Sequence, residues 1–300
     1  MIKKGSKVAL VCCSNGQVLS NKEKLKKLQD TLEKMGLDPV WSDYIYVKDG
    51  VFSGTAKERA AALMTFYKDD EVRAIFDISG GDIANEILPY LDYEVIAKSK
   101  KQFWGYSDLT TILNAVYTMT GQIGVLYQVR NLIYGNAAQQ IQQFSEMIVE
   151  EACARKDFGT GTLFSFSYEF VQKEQMHGIV VGGNIRCFLK LAGTPYFPDM
   201  SGKILLLEAY GGEVPQMVTY LNQLKQIGVF DKVAGILLGT FTKLEEAEGK
   251  KSAMAELVKE YAGTEIPIAA TSEIGHGSDS KAIIIGQEIY LDKLNAKLIN

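Results

Sequence analysis

Apolar residues along this chain arrive in short unbroken blocks, separated by longer stretches whose apolar positions recur at helical spacing. Lys7–Cys13, Val72–Ile78 and Gln102–Tyr106 are blocks of the first kind, and Asp38–Trp41 and Ile123–Leu126 are shorter versions. Such runs predict strands buried on both faces. Between them, Asn21–Met35, Thr55–Lys68, Asp82–Leu88 and Leu109–Met119 read as helices, with Gly36 and Gly121 just past two of their ends. Strands alternating with helices of this length predict βαβ units and a mostly parallel sheet. The signal weakens from Tyr134 to Lys173, and Ala152–Gly161 reads as a linker. Strands return at Gly178–Gly183, Lys203–Leu207, Val233–Leu238 and Pro267–Ala270, with helices at Val214–Ile227 and Ala253–Tyr261. Ala282–Leu291 reads as a hairpin around Gly286. The expected fold is α/β in two domains. Residues 1–155 form a mostly parallel sheet flanked by helices, 156–175 a linker, and 176–300 a smaller, β-rich α/β domain.

Ligands of parallel sheets sit at the carboxyl ends of the strands. Two turns on that edge stand out: Ser79-Gly80-Gly81, and Gly105-Tyr106-Ser107-Asp108, where an apolar strand runs into a serine that opens a helix. A serine there is a preferred helix cap. The same geometry projects a hydroxyl outward beside the free N–H groups of the helix start, as a nucleophile beside an oxyanion hole requires. Ile204–Glu208 is an apolar strand ending in an acid, a costly place for a carboxylate unless it is paired; the turn at Gly211-Gly212 offers one set of partners. His276 lies in a loop between Gly275 and Gly277. The other histidine, His177, precedes a strand and reads as structural or surface. Ser107, Glu208 and His276 together supply a nucleophile, an acid and a base.

Composition narrows the classes. Of 300 residues, 47% are hydrophobic and 23% charged, with net charge −4, an ordinary globular balance that argues against nucleic acid and anionic membrane as partners. No apolar run approaches the length of a membrane span, and no signal-peptide pattern precedes the first strand, so a cytoplasmic location is expected. Cys12, Cys13, Cys153 and Cys187 match no zinc or redox spacing and read as buried thiols. With two histidines, a His-based metal site is not expected.

The ordered set of segments resembles the serine LD-carboxypeptidases, which include the muramoyl-tetrapeptide carboxypeptidases and the microcin self-immunity peptidases. The resemblance is carried by Ser79-Gly80-Gly81-Asp82 with Leu88–Tyr93, Gly105-Tyr106-Ser107-Asp108, Gly182-Gly183-Asn184 with Gly193-Thr194, Gly202–Glu208, and Gly275-His276. Gly228–Asp231 followed by Gly235–Gly239 is also similar to the family. The resemblance implies an active site in a cleft between two domains. It implies Ser107 as nucleophile, His276 as general base and Glu208 as the acid that orients it. The oxyanion hole would use the N–H of Asp108 and of Gly80 or Gly81. It implies no metal or cofactor, and a homodimer. Three loops depart from the family pattern: Cys12-Cys13-Ser14-Asn15 replaces a Pro-Ser turn, Tyr127-Gln128-Val129-Arg130 a His/Tyr-Gly-Pro turn, and Gly277–Lys281 a proline-containing stretch.

The expected activity is removal of a terminal D-amino acid from a muropeptide stem through an acyl-enzyme. Such a substrate carries a free carboxylate, for which Arg130 and Arg186 are the candidate receivers. An alternative is an amidase acting on aminoacyl- or peptidyl-nucleotides, which exposed aromatics at the cleft would favour. A further alternative, of another class, is a small-molecule binding protein built from two α/β lobes.

Overall fold

The computed structural model describes residues 2–149 and 162–295. The first half builds β1 (Lys7–Val11), α1 (Lys22–Lys34), β2 (Asp38–Trp41), α2 (Ala56–Lys68), β3 (Val72–Asp77), α3 (Tyr93–Lys98), β4 (Gln102–Gly105), α4 (Thr110–Thr120), β5 (Gly124–Leu126) and α5 (Ala137–Val149). The second adds β6 (Glu169–Gln172), β7 (Gln175–Asn184), α6 (Ile185–Leu189), β8 (Lys203–Ala209), α7 (Val214–Gln226), β9 (Gly235–Phe241), α8 (Thr242–Glu248), α9 (Ala253–Ala262), β10 (Ile268–Ala270), β11 (Ile283–Ile285) and β12 (Glu288–Asp292).

Two six-stranded sheets result, ordered β11-β5-β4-β3-β1-β2 and β12-β7-β8-β9-β10-β6. In the first, β1 to β5 run parallel and β11 is an antiparallel edge. In the second, β7 to β10 are parallel, flanked by antiparallel β12 and β6. Central strands are buried on both faces, which is why their sequences are continuous apolar runs rather than alternating ones. The fold is therefore the expected α/β arrangement of two sheets with flanking helices.

Three local expectations are corrected. Ala282–Leu291 is not a hairpin: β11 pairs with β5 in the first sheet and β12 with β7 in the second, so the chain crosses between sheets at Gly286 (φ +91°). Glu169–Gln172, counted in the linker, is the edge strand β6. The segment expected as a helix at Asp82–Leu88 is a 3-10 helix over Ala84–Tyr90, with Pro89 inside it. The expected linker Ala152–Gly161, with Cys153, lies outside the described residues.

Helix α4 joins the sheets. Every residue from Thr110 to Val116 is buried, the mark of a helix packed on all sides. Asn114 donates to the Gly182 carbonyl and accepts from its N–H, both at 2.8 Å, while Thr110 Oγ1 accepts from Asn184 N–H at 3.0 Å. The end of β7 is thereby clamped to the helix that follows Ser107.

A second clamp is electrostatic. The Asp108 carboxylate is fully buried and accepts from Ser14 Oγ at 2.6 Å, from Ala84 N–H at 2.8 Å and from the Lys190 ammonium. Removing one partner of a buried pair leaves an uncompensated charge, which costs far more than the pair is worth. Lys190→Met should therefore lower unfolding stability by roughly 3 kcal/mol, read from a chemical denaturation midpoint at unchanged slope.

Candidate active site

Ser107 lies two residues past the end of β4: Tyr106 is still extended (φ −151°), and Ser107 itself takes φ +55° before the chain enters α4. A non-glycine residue in the left-handed region is strained, and here the strain turns the strand sharply into the helix. The turn needs Gly105 beneath it, because a Cβ there would meet the Leu109 Cβ at 2.6 Å. Ser107 is half-buried, so its hydroxyl stays accessible.

Glu208 is the penultimate residue of β8 and is fully buried. His276 stands on the loop after β10, its ring largely enclosed. The preceding Gly275 takes φ +145° and presses on the Thr240 side chain, a position with no room for a Cβ. His276 Nδ1 lies 2.7 Å from Glu208 Oε2. Against a carboxylate, Nδ1 carries the proton and Nε2 is left as the basic nitrogen. The Gly211-Gly212 turn is thus not the partner of Glu208.

Two aromatic rings flank the imidazole: Tyr106 at 4.5 Å and Tyr210 at 5.3 Å between centroids. The Tyr106 hydroxyl and Glu208 Oε1 are each buried without a hydrogen bond of good geometry. Burial holds the Tyr106 phenol well above its ordinary pKa, and the nearby Glu208 charge adds to that. The phenol therefore keeps its proton, beside a carboxylate whose Oε1 has no partner. Tyr106 is not among the residues that the sequence singles out; its place directly before the serine is the one signal for it.

Ser107 and His276 line one cavity of about 220 Å³, together with Gly80, Tyr106, Gln128, Arg130, Asn131 and Tyr134. Gly81, at φ +125° against the Asn15 side chain, does not line it, nor does Asp108 beyond its place next to Ser107. Arg186 lies outside that lining and pairs with Asp82. Larger clefts of about 710 and 660 Å³ lie elsewhere and include neither Ser107 nor His276, so chemistry rather than size selects the smaller cavity. Among the described residues, no three His, Cys, Asp or Glu side chains converge as a metal site. Burial pushes the Cys12 and Cys13 thiols well above their ordinary value, which makes them poor nucleophiles.

His177 is surface-exposed, 3.1 Å from Glu288 Oε1 on the edge of the second sheet. His177→Ala should leave kcat/KM within about twofold of the parent, since exposed ion pairs contribute little.

Sequence profiles of the LD-carboxypeptidase N-terminal and C-terminal domains match residues 8–128 and 177–291. The chain belongs to the LD-carboxypeptidase family. It is 29% identical to a probable murein peptide carboxypeptidase of Bacillus subtilis, over 87% of this chain and 82% of that protein. It is 24% identical to the microcin self-immunity protein MccF of Escherichia coli, over 96% and 91% of the two chains. A solved structure of MccF in complex with glutamyl sulfamoyl guanosine has a TM-score of 0.87 at 22% identity, covering 99% of this chain and 96% of that one, a likeness of fold. The family makes this protein a hydrolase. Among the described residues no helix is long and apolar enough to cross a membrane.

Proposed function

We propose that this protein is a serine carboxypeptidase of LD type, which removes a terminal D-amino acid from a muropeptide stem. Ser107 Oγ attacks the carbonyl of the last amide while His276 Nε2 takes its proton. The C–N bond then breaks as that proton passes to the leaving amine, and water repeats the sequence on the acyl-enzyme. Glu208 holds the ring and stabilises the imidazolium. The N–H groups of Asp108 and of Gly80 or Gly81 are the proposed oxyanion donors. The observation that carries this reading is the 2.7 Å contact between His276 Nδ1 and the buried Glu208 carboxylate, with His276 and Ser107 on one cavity. The test is incubation with a tetrapeptide stem and mass-spectrometric detection of the tripeptide. Absence of product, under conditions where an active relative yields it, would overturn the muropeptide assignment.

A second reading is an amidase that acts on aminoacyl- or peptidyl-nucleotides. It is favoured by one observation: Tyr210 is 53% exposed, its ring tilted against His276 at 5.3 Å between centroids, and so offers an aromatic face to a base near the site. Release of an amino acid from an aminoacyl sulfamoyl adenosine, measured in parallel, decides between the two. The proposed setting is the cytoplasm, consistent with Cys12, Cys13 and Cys187 being free, buried thiols. A homodimer is proposed on the family resemblance, to be read by analytical ultracentrifugation.

A further inference from the structure

Two of the loops that depart from the family pattern meet in the structure. Asn131 Nδ2 donates to Ser280 Oγ at 3.1 Å, Asn136 Nδ2 to Ser278 Oγ at 3.2 Å, and Gln140 Nε2 to the Ser280 carbonyl at 3.0 Å. The segment after β5 is therefore fastened to the loop that carries His276. That segment opens with a 3-10 turn over Val129–Ile133, and Gln128 caps it.

The cap does two things at once. Gln128 Oε1 accepts from the Arg130 backbone N–H and from its guanidinium Nε, both at 3.2 Å. The guanidinium carbon stands 6.0 Å from the Tyr134 ring centroid. Among the described residues no carboxylate pairs with Arg130 and nothing bonds its two terminal nitrogens. An arginine held by Nε and flanked by a ring presents the remaining fork, which fits a carboxylate bidentately. Gln128 and Arg130 line the same cavity as Ser107 and His276. At about 220 Å³ this cavity has the volume of one small residue. Arg186 lacks these features, because its guanidinium is already engaged by Asp82.

We propose that Arg130, aimed by Gln128, receives the free carboxylate of the leaving residue and makes the enzyme select free-acid termini. Arg130 is the specificity determinant and Gln128 a positioning residue. The proposal rests on the carboxypeptidase reading of the same site.

The experiment compares a tetrapeptide stem ending in free D-alanine with its C-terminal carboxamide. Two ratios are measured: kcat/KM in the intact enzyme, and Kd by calorimetry in Ser107→Ala, where binding needs no turnover. The acid should be preferred roughly a hundredfold, in the range measured when one member of a buried charge pair is removed. Arg130→Gln should bring both ratios within a few-fold of one, and Arg130→Lys should restore part of the preference. Gln128→Leu should raise KM for the acid more than it lowers kcat, with the melting temperature of each variant checking the fold. A parental Kd ratio near one, or an Arg130→Gln ratio equal to the parent's, would overturn the proposal. Retained turnover in Ser107→Ala would instead overturn the nucleophile assignment, and the Kd ratio would still decide the role of Arg130.

Discussion

Replacing Ser107 by alanine should lower turnover by roughly four to six orders of magnitude and leave the fold intact. The size follows from what is lost. Without the hydroxyl no acyl-enzyme forms, and only the proposed oxyanion donors and substrate binding remain to act on a water attack. The fold should survive because the hydroxyl projects into the cavity, while the strained turn is enforced by Gly105 and by the clamp of α4 on the end of β7. Alanine at φ +55° bears a similar backbone strain to serine, so stability should change by less than about 1 kcal/mol. His276→Ala should be about as damaging. The double variant should be little worse than either single one, since groups that act as a unit are non-additive. Turnover of a tetrapeptide stem by the three variants, each with a denaturation curve, checks this. A Ser107→Ala enzyme with parental turnover would remove the nucleophile assignment.

Where strands are buried on both faces, the chain declared itself. The apolar blocks at β1, β3, β4, β8 and β9 are legible because parallel central strands have no solvated face to dilute the pattern. Helix α5 was illegible for the opposite reason. Its buried side includes Gln140, fully enclosed, which accepts from the Tyr127 hydroxyl at 2.5 Å and donates to the Ser280 carbonyl. Its apolar stripe of Ile141, Phe144 and Ile148 is real but diluted by glutamines, two of which, Gln140 and Gln143, also face inward. The crossover at Gly286 was misread because a glycine turn between two apolar triplets looks the same whether the strands pair with each other or with two different sheets. That choice is made by β5 and β7, more than a hundred residues upstream.

The candidate site divides the same way. Ser107, Glu208 and His276 were legible one at a time, as a serine at a strand–helix corner, an acid closing an apolar strand and a histidine between glycines. What the sequence does not carry is distance: the contact of His276 with Glu208 spans 68 residues and depends on the loop after β10 returning to the end of β8. Gln128 was passed over because its role is to aim Arg130, and only coordinates show that one oxygen holds both the backbone and the guanidinium.

Replacing Glu208 by glutamine should reduce kcat by roughly three to four orders of magnitude while KM changes little, because shape is kept and the substrate is not touched. The carboxylate accepts from His276 Nδ1 and leaves Nε2 basic. A glutamine amide can instead donate to Nδ1, which moves the proton to Nε2 and disables the base. The charge that stabilises the imidazolium in the transition state also disappears. Two observations separate this from a packing defect. Glu208 is enclosed with Oε1 unbonded near the Tyr106 hydroxyl, so an amide of the same volume fits without a cavity, and melting should be close to parental. Secondly, the imidazole ¹⁵N shifts of His276 should report a change of tautomer, from Nδ1–H in the parent to Nε2–H in the variant. Unchanged kcat with an altered tautomer would show that His276 is not the base. An unchanged tautomer with lost activity would show that Glu208 acts by charge alone.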